Sequence, residues 1–308
     1  MSARAPLEGR DLASIVLVIV VWGLNFVVMK VGLASLTPFQ LGAGRYLFAF
    51  LPLALLSRRP PTRKRWLLAF GLSQGVGQFG LLFVALKVGM TAAMASVLVQ
   101  TQVFFSALLG ATLLGEGISR PLKVGMLFAG AALACFGTNA ALAPAGGSVT
   151  GWGLLLTLVS AAMWAVSNIV VRKVRQEGDA FDPLAFVVWC SGVPILPFLA
   201  LSLFFDPPAA HARWLHASWT AWAALAFLGW VATDLGYGLW TRLLKRFPAS
   251  RVAPFSLGVP LIGLGAGILL LGERIAPMQW AGAVLVLCAL ACVLSDPWRS
   301  KPSRREHA

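Results

Sequence analysis

The sequence predicts an all-α polytopic membrane protein with ten transmembrane helices, arranged as two inverted five-helix repeats. Three observations carry that expectation: the composition, a series of ten similar apolar stretches, and a set of short motifs that recur at a nearly constant offset. The chain has 308 residues, of which 58% are hydrophobic and 12% charged. A soluble domain carries about 25% charged residues, so this chain has too little polar surface to cover itself in water. A formal charge of +14 in a soluble protein would point to nucleic acid. In a membrane protein it has a simpler origin, because Lys and Arg collect in cytoplasmic loops. The expected surroundings are therefore a lipid bilayer, with no nucleic-acid partner.

The apolar stretches are 12–30, 39–57, 66–86, 91–114, 121–141, 151–171, 183–205, 218–241, 250–271 and 277–295. Each approaches the roughly 17–25 residues that a crossing helix needs. The first is free of charge as far as Met29 and holds Trp22 and Asn25, which share a helical face at a spacing of three. The second contains Arg45. The third carries Gln74 and Gln78 among Gly71, Gly75, Gly77 and Gly80. The fourth holds Gln100 and Gln102 and closes on Leu-Leu-Gly-Glu (Leu113 to Glu116), and the fifth includes Ala-Leu-Ala-Cys (Ala132 to Cys135). The sixth repeats the first in altered form, with Trp164, Asn168 and Lys173 standing to it as Trp22, Asn25 and Lys30 stand to the first. The seventh has Pro183 and Pro197 where the second has Pro38 and Pro52. The eighth holds Asp234 and Tyr237. The ninth is interrupted by Pro254 and Pro260, carries Gly263, Gly265 and Gly267, and again closes on Leu-Leu-Gly-Glu (Leu270 to Glu273). The tenth repeats Ala-Leu-Ala-Cys at Ala289 to Cys292.

Basic residues set the orientation. Of the 25 Lys and Arg, twenty fall on one side of a ten-span arrangement; Lys30, Lys87, Arg213 and Arg274 fall on the other, and Arg45 lies within a span. One missed or invented helix would scramble that bias. It predicts that both termini are cytoplasmic. The recurring motifs lie 157 residues apart for Glu116 and Glu273, and 145 apart for Pro38 and Pro183. The jump places a longer connection at 206–217, expected to be a solvated outer loop. Five spans per repeat is an odd number, so the second repeat enters the membrane upside down. Inverted repeats with a substrate site between them at the midplane are a common architecture of secondary transporters.

Two five-span repeats that each end their fourth helix on Leu-Gly-Glu resemble the EamA-type transporters of the drug/metabolite transporter superfamily, with 12–141 and 151–295 as the repeats. Val20 to Gly32 (VVWGLNFVVMKVG), Gly77 to Phe79 (GQF) and Arg251 to Pro260 (RVAPFSLGVP) more closely resemble its exporters of O-acetylserine and cysteine. The resemblance covers 12–295. It implies export of small metabolites, amino acids such as cysteine or O-acetylserine among them, across the bacterial inner membrane, with no cofactor. An apolar residue is usual in that group where this chain has Asp234.

Ionisable groups inside a membrane are costly and so are candidates for function. Arg45 has two readings: it holds a substrate carboxylate with its planar fork, or it snorkels outward. Asp234 is either a proton carrier that also receives a substrate ammonium, the two competing for one charge, or a structural carboxyl bonded to Thr233 or Thr241. Glu116 and Glu273 end helices where the dipole opposes them. They are expected to form gating or structural pairs with Lys87 and Lys245, or with Arg120 and Arg274. Asn25, Gln78, Gln100, Gln102 and Asn168 both donate and accept hydrogen bonds, which suits a zwitterion. With Trp22, Trp164, Arg45 and Tyr237 they form the candidate substrate site. The glycines are read as small residues at helix contacts, and Pro254 and Pro260 as marking a partly unwound segment.

Other functions fit less well. His211, His216 and His307 lie outside the spans, and neither HExxH nor GxSxG occurs. Cys135, Cys190, Cys288 and Cys292 lack the acidic or His neighbours of a metal site and read as packing residues. A multidrug or cationic-compound exporter of the same superfamily is the alternative transporter. Its four-helix members use a Glu in the first helix, and the first span here has no acid.

Overall fold

The computed structural model describes residues 8–142, 149–177, 182–247 and 249–294. The terminal basic residues Arg4, Arg299, Lys301, Arg304 and Arg305, residue 295 and His307 lie outside the described residues. The helices are α1 (Gly9–Ser35), α2 (Pro38–Leu56), α3 (Lys64–Val88), α4 (Ala92–Leu114), α5 (Arg120–Leu142), α6 (Gly151–Gln176), α7 (Pro183–Phe205), α8 (219–246), α9 (Pro254–Leu271) and α10 (Pro277–Leu294). Nine of these are long and apolar enough to cross a membrane. The exception, α8, is as long as the others, but four Trp, Thr233 and Asp234 dilute its hydropathy. The all-helical, two-repeat architecture expected from the sequence is therefore present, and the protein is a multi-pass membrane protein.

Local chemistry explains where the helices begin and end. Thr37 caps α2, accepting from Gln40 N at 3.1 Å, and Pro38 follows in the first turn. Asp182 and Pro183 do the same for α7, with Ala185 N at 3.1 Å from the Asp182 carboxylate. The Leu-Leu-Gly-Glu motif is a helix stop. Gly115 and Gly272 have φ of +66° and +64°, and the following Glu N–H returns to Gly110 O and Gly267 O, 3.1 Å in both cases. Only glycine takes that left-handed conformation without strain.

The halves interlock across an approximate two-fold. The equivalent helices α2 and α7 pack on each other, as do α5 and α10. α1 packs on α8 and α9 of the other half, and in return α6 packs on α3 and α4. Gly23 meets Ile262, Gly75 meets Pro194 and Gly263 meets Ser96, each too closely for an added Cβ. These are small residues at helix contacts, as expected; Gly265 faces open space and is the exception. The buried core is densest at the start of α4, where Ala92 to Val99 are buried on every side. Leu55, Leu56, Leu127, Phe204 and Leu269 are exposed and form the lipid-facing surface.

Two irregularities appear in each half at matching places. α3 is π-helical over Gly71–Gly80, and α8 over Phe227–Leu235. α4 tightens to a 3₁₀ turn at Val99–Thr101, and the chain entering α9 does so at Ala253–Leu257. Pro254 thus lies in a tightened turn, whereas Pro260 lies in regular α-helix and marks no unwinding. The connection at 206–217 is mostly exposed, as expected of a solvated loop, and is anchored to α2 at two points. Asp206 accepts from Thr37 Oγ1 at 2.6 Å, and Gln40 Nε2 donates to Ala210 O at 2.8 Å.

Candidate functional site

A cavity of about 300 Å³ lies among α1, α3, α4, α6 and α8, with residues of α2 and the start of α9 completing its wall. That is at the low end of the ~300–1,000 Å³ typical of small-molecule pockets. All nine residues expected at a substrate site line it: Trp22 and Asn25 from α1, Arg45 from α2, Gln78 from α3, Gln100 and Gln102 from α4, Trp164 and Asn168 from α6, and Tyr237 from α8. The four irregular segments border this space. The π stretch of α3 carries Gln78, the 3₁₀ turn of α4 carries Gln100, and the turn entering α9 adds Ser256. π and 3₁₀ segments inside helices commonly mark functional sites and hinges.

Arg45 is 2% exposed and points inward, so it does not snorkel. Its Nη1 lies 3.5 Å from Asn25 Oδ1, and its Nη2 donates to Thr233 Oγ1 at 3.2 Å. The guanidinium carbon stands 3.8 Å from the centre of the Phe79 ring. Trp22 Nε1 donates to Ala232 O at 3.0 Å, which ties α1 to the π stretch of α8. The Trp22 ring is 5.3 Å from that of Tyr237 and 5.5 Å from that of Trp240. On the other wall, Asn168 Nδ2 donates to Gln102 Oε1 at 2.9 Å and to Ser106 Oγ at 3.1 Å. Gln74 stands behind the wall, bonded to Gln78 and Ser167. A second cavity of about 230 Å³ shares Gln100, Gln102, Asn168 and Ser256 with the first and runs past Arg172 to Leu294. The space thus extends toward the end of the bundle where α6 and α10 terminate, the end richer in basic residues.

Several expectations need correcting. Asp234 does not share a space with Tyr237. It borders a separate crevice of about 540 Å³, with Pro52, Leu53, Leu184, Trp230 and Arg242. It is 7% exposed, and neither carboxylate oxygen has a hydrogen-bond partner. Thr233 and Thr241 donate instead to backbone carbonyls. A substrate in the central cavity therefore does not meet Asp234 directly, and competition at one charge has no geometric basis. The reason is local: Asp234 sits in the π stretch, where hydrogen bonds run i to i+5 and a spacing of three no longer marks one face. The charge pairs also differ from those expected. Glu116 pairs with Arg172 at 2.6 Å. Glu273 accepts the backbone N–H groups of Ala92 at 2.7 Å and Ala93 at 2.8 Å. Lys87 donates to Leu33 O at 3.2 Å, and Lys245 pairs with Asp182 at 3.0 Å.

Sequence reasoning missed Phe26, Phe79, Trp240 and Ser256 in the cavity wall. Phe26, adjacent to Asn25, and Phe79, adjacent to Gln78, could have been suspected from position; Trp240, one turn beyond Tyr237, only once α8 was phased. Among the described residues, no group of His, Cys, Asp and Glu is arranged to hold a metal.

The EamA-like transporter family matches residues 12–138 and 151–295. A probable amino-acid metabolite efflux pump of Escherichia coli (strain K12) is 39% identical over 284 residues, covering 91% of this chain and 93% of that protein. One from Salmonella typhimurium (strain LT2) is 41% identical over 278 residues, covering 89% and 91%. A solved crystal structure aligns with a TM-score of 0.59 at 17% identity, covering 93% of this chain and 96% of that one, a likeness of fold.

Proposed function

The chain belongs to the EamA-like transporter family, and on that premise we propose that it exports amino-acid metabolites across the bacterial inner membrane by alternating access, with both termini in the cytoplasm. Cysteine and O-acetylserine are the substrates we favour. The observation that carries this reading is the single cavity in which every amide and aromatic candidate of α1, α3, α4, α6 and α8 converges. Its continuation toward the basic end suits a carrier caught open to the cytoplasm, and the interlocked halves give two equivalent ways of closing. Counterflow of labelled L-cysteine and O-acetyl-L-serine into proteoliposomes tests it. Accumulation above protein-free vesicles is the expected result, and none would overturn the reading. A cationic-compound exporter is less well supported, since no acidic residue lines the cavity among the described residues.

Coupling to protons is a further part of this reading. Asp234 adjoins Thr233, which holds Arg45. A proton on Asp234 therefore acts beside the substrate site rather than within it. Asp234→Asn should retain counterflow and lose its stimulation by a pH gradient. Unchanged stimulation would make Asp234 a structural residue.

A further inference from the structure

A buried guanidinium carries five N–H donors in a fixed plane. Arg45 is almost wholly buried, yet two of its three nitrogens make only long contacts, 3.5 Å and 3.2 Å, and Nε has no partner at all. Buried donors are nearly always satisfied, so this guanidinium, which lines the cavity, is short of acceptors. Among the described residues of the cavity wall there is no acid to supply one. A positive, under-satisfied, planar donor calls for a carboxylate from outside the protein, because the two oxygens of a carboxylate match two N–H groups of the fork.

The opposite charge of a zwitterion must then be met without an anion. Three residues before Asn25, and so about 4.5 Å along α1 at ~1.5 Å per residue, stands Trp22, with Tyr237 and Trp240 beside it. Ring faces attract ammonium groups without needing a formal charge. We propose that Arg45 binds the substrate's α-carboxylate and that the wall of Trp22, Tyr237 and Trp240 receives its α-ammonium, which leaves the variable group to face the amides of α4 and α6. This rests on the export reading above and narrows it to ligands with an α-amino-acid head group. It also gives the cavity a reason to reject amines that lack a carboxylate, which would meet Arg45 as a like charge.

The test uses three thiols that differ only in the head group: L-cysteine, cysteamine (no carboxylate) and 3-mercaptopropionate (no amine). Binding to the purified full chain is read from the rise in melting temperature with ligand concentration. L-Cysteine should bind at least about tenfold more tightly than cysteamine. In Arg45→Gln that ratio should collapse toward one, and Arg45→Lys should restore part of it. In Trp22→Leu the advantage of L-cysteine over 3-mercaptopropionate should shrink, by about fivefold. Because each result is a ratio within one protein, a general loss of stability does not mimic it. If Arg45→Gln does not fold, the Arg45→Lys ratio decides. Binding of 3-mercaptopropionate that depends on Arg45 supports the assignment even if amino-acid counterflow is absent. Counterflow of L-cysteine together with equal binding of cysteamine overturns the assignment and leaves the export reading standing.

Discussion

The two ends of the bundle are held by different chemistry. At the end where α1 and α3 finish, charged side chains grip backbone atoms. Lys30 of α1 donates to Leu86 O in the last turn of α3 at 2.7 Å, Lys87 of α3 donates to Leu33 O in the last turn of α1, and Glu273 receives the first N–H groups of α4. Each contact sets a charge against the helix end whose dipole it complements. At the end where α6 finishes, charged side chains grip one another: Arg172 with Glu116, Lys245 with Asp182, and Arg65 and Arg63 with Glu177. The first arrangement works only when the helix axes stand in one relation, because backbone atoms cannot follow a moving partner. The second tolerates movement, since long exposed side chains can release and find new partners at little cost; exposed pairs are worth about 0–1 kcal/mol. The difference matches the cavity, which extends toward the ion-paired end and stops short of the other.

That contrast can be broken most forcefully at the two crossed lysines. Lys30→Met with Lys87→Met removes two hydrogen bonds to charged groups, each worth about 1.5–3 kcal/mol. The expected result is an end that opens. With Cys135, Cys190, Cys288 and Cys292 replaced by Ser, a cysteine placed at Asn25 should become reactive to a membrane-impermeant thiol reagent added from that side, while the same cysteine with both lysines intact stays protected. Protection in the lysine variant would show that the lysines do not form the seal. A smaller effect comes from the helix stops that the two halves share. Gly115→Ala and Gly272→Ala force a left-handed residue to carry a Cβ, at a cost of about 1–2 kcal/mol each. Both should lower the melting temperature by similar amounts, and a clearly unequal loss would mean that the two motifs do not act alike. The smallest effect belongs to Glu177, just beyond α6. Its carboxyl is held below the usual range first by the Trp66 indole N–H and then by Arg65 and Arg63, which together outweigh the opposing desolvation. A depressed acid contributes stability above its unfolded value of about 4.3 and loses it as pH falls through the folded value. Glu177→Gln should therefore change the melting temperature less than either glycine variant, by an amount constant from pH 6 to pH 8. A pH-dependent difference in that window would show that Glu177 titrates there.

Most of the architecture was legible because membrane crossing imposes length and the positive bias imposes order. The fourth-helix motif showed the duplication because its glycine is required by backbone geometry. The cavity residues were legible for a related reason: amides in an apolar helix need polar partners, and of those singled out from the sequence all but Gln74, which bonds behind the wall, line the shared cavity. What stayed hidden depends on helix phase. Asp234 and Tyr237 look like neighbours at 3.6 residues per turn, but Asp234 lies in the π stretch that ends at Leu235 and borders a different crevice. Arg45 looked near enough to the surface to escape, yet Asn25 and Thr233, from two other helices, meet it inside. The partner of Glu273 could not have been found among side chains, because it is a pair of backbone N–H groups.

The paired π stretches also govern how such a chain tolerates changes of length. One residue added to or lost from a helix turns everything beyond it by about 100°, since a turn holds 3.6 residues. Past Gly71–Gly80 such a turn would carry Lys87 off Leu33, and past Phe227–Leu235 it would swing Tyr237 and Trp240 out of the cavity. A marked difference in length between the halves is the connection at 206–217, which holds a short α-helical and a 3₁₀ turn and is tied to the start of α2. A change of length is therefore tolerated at a joint of the molecule and penalised inside a helix whose far end carries a cavity or sealing residue.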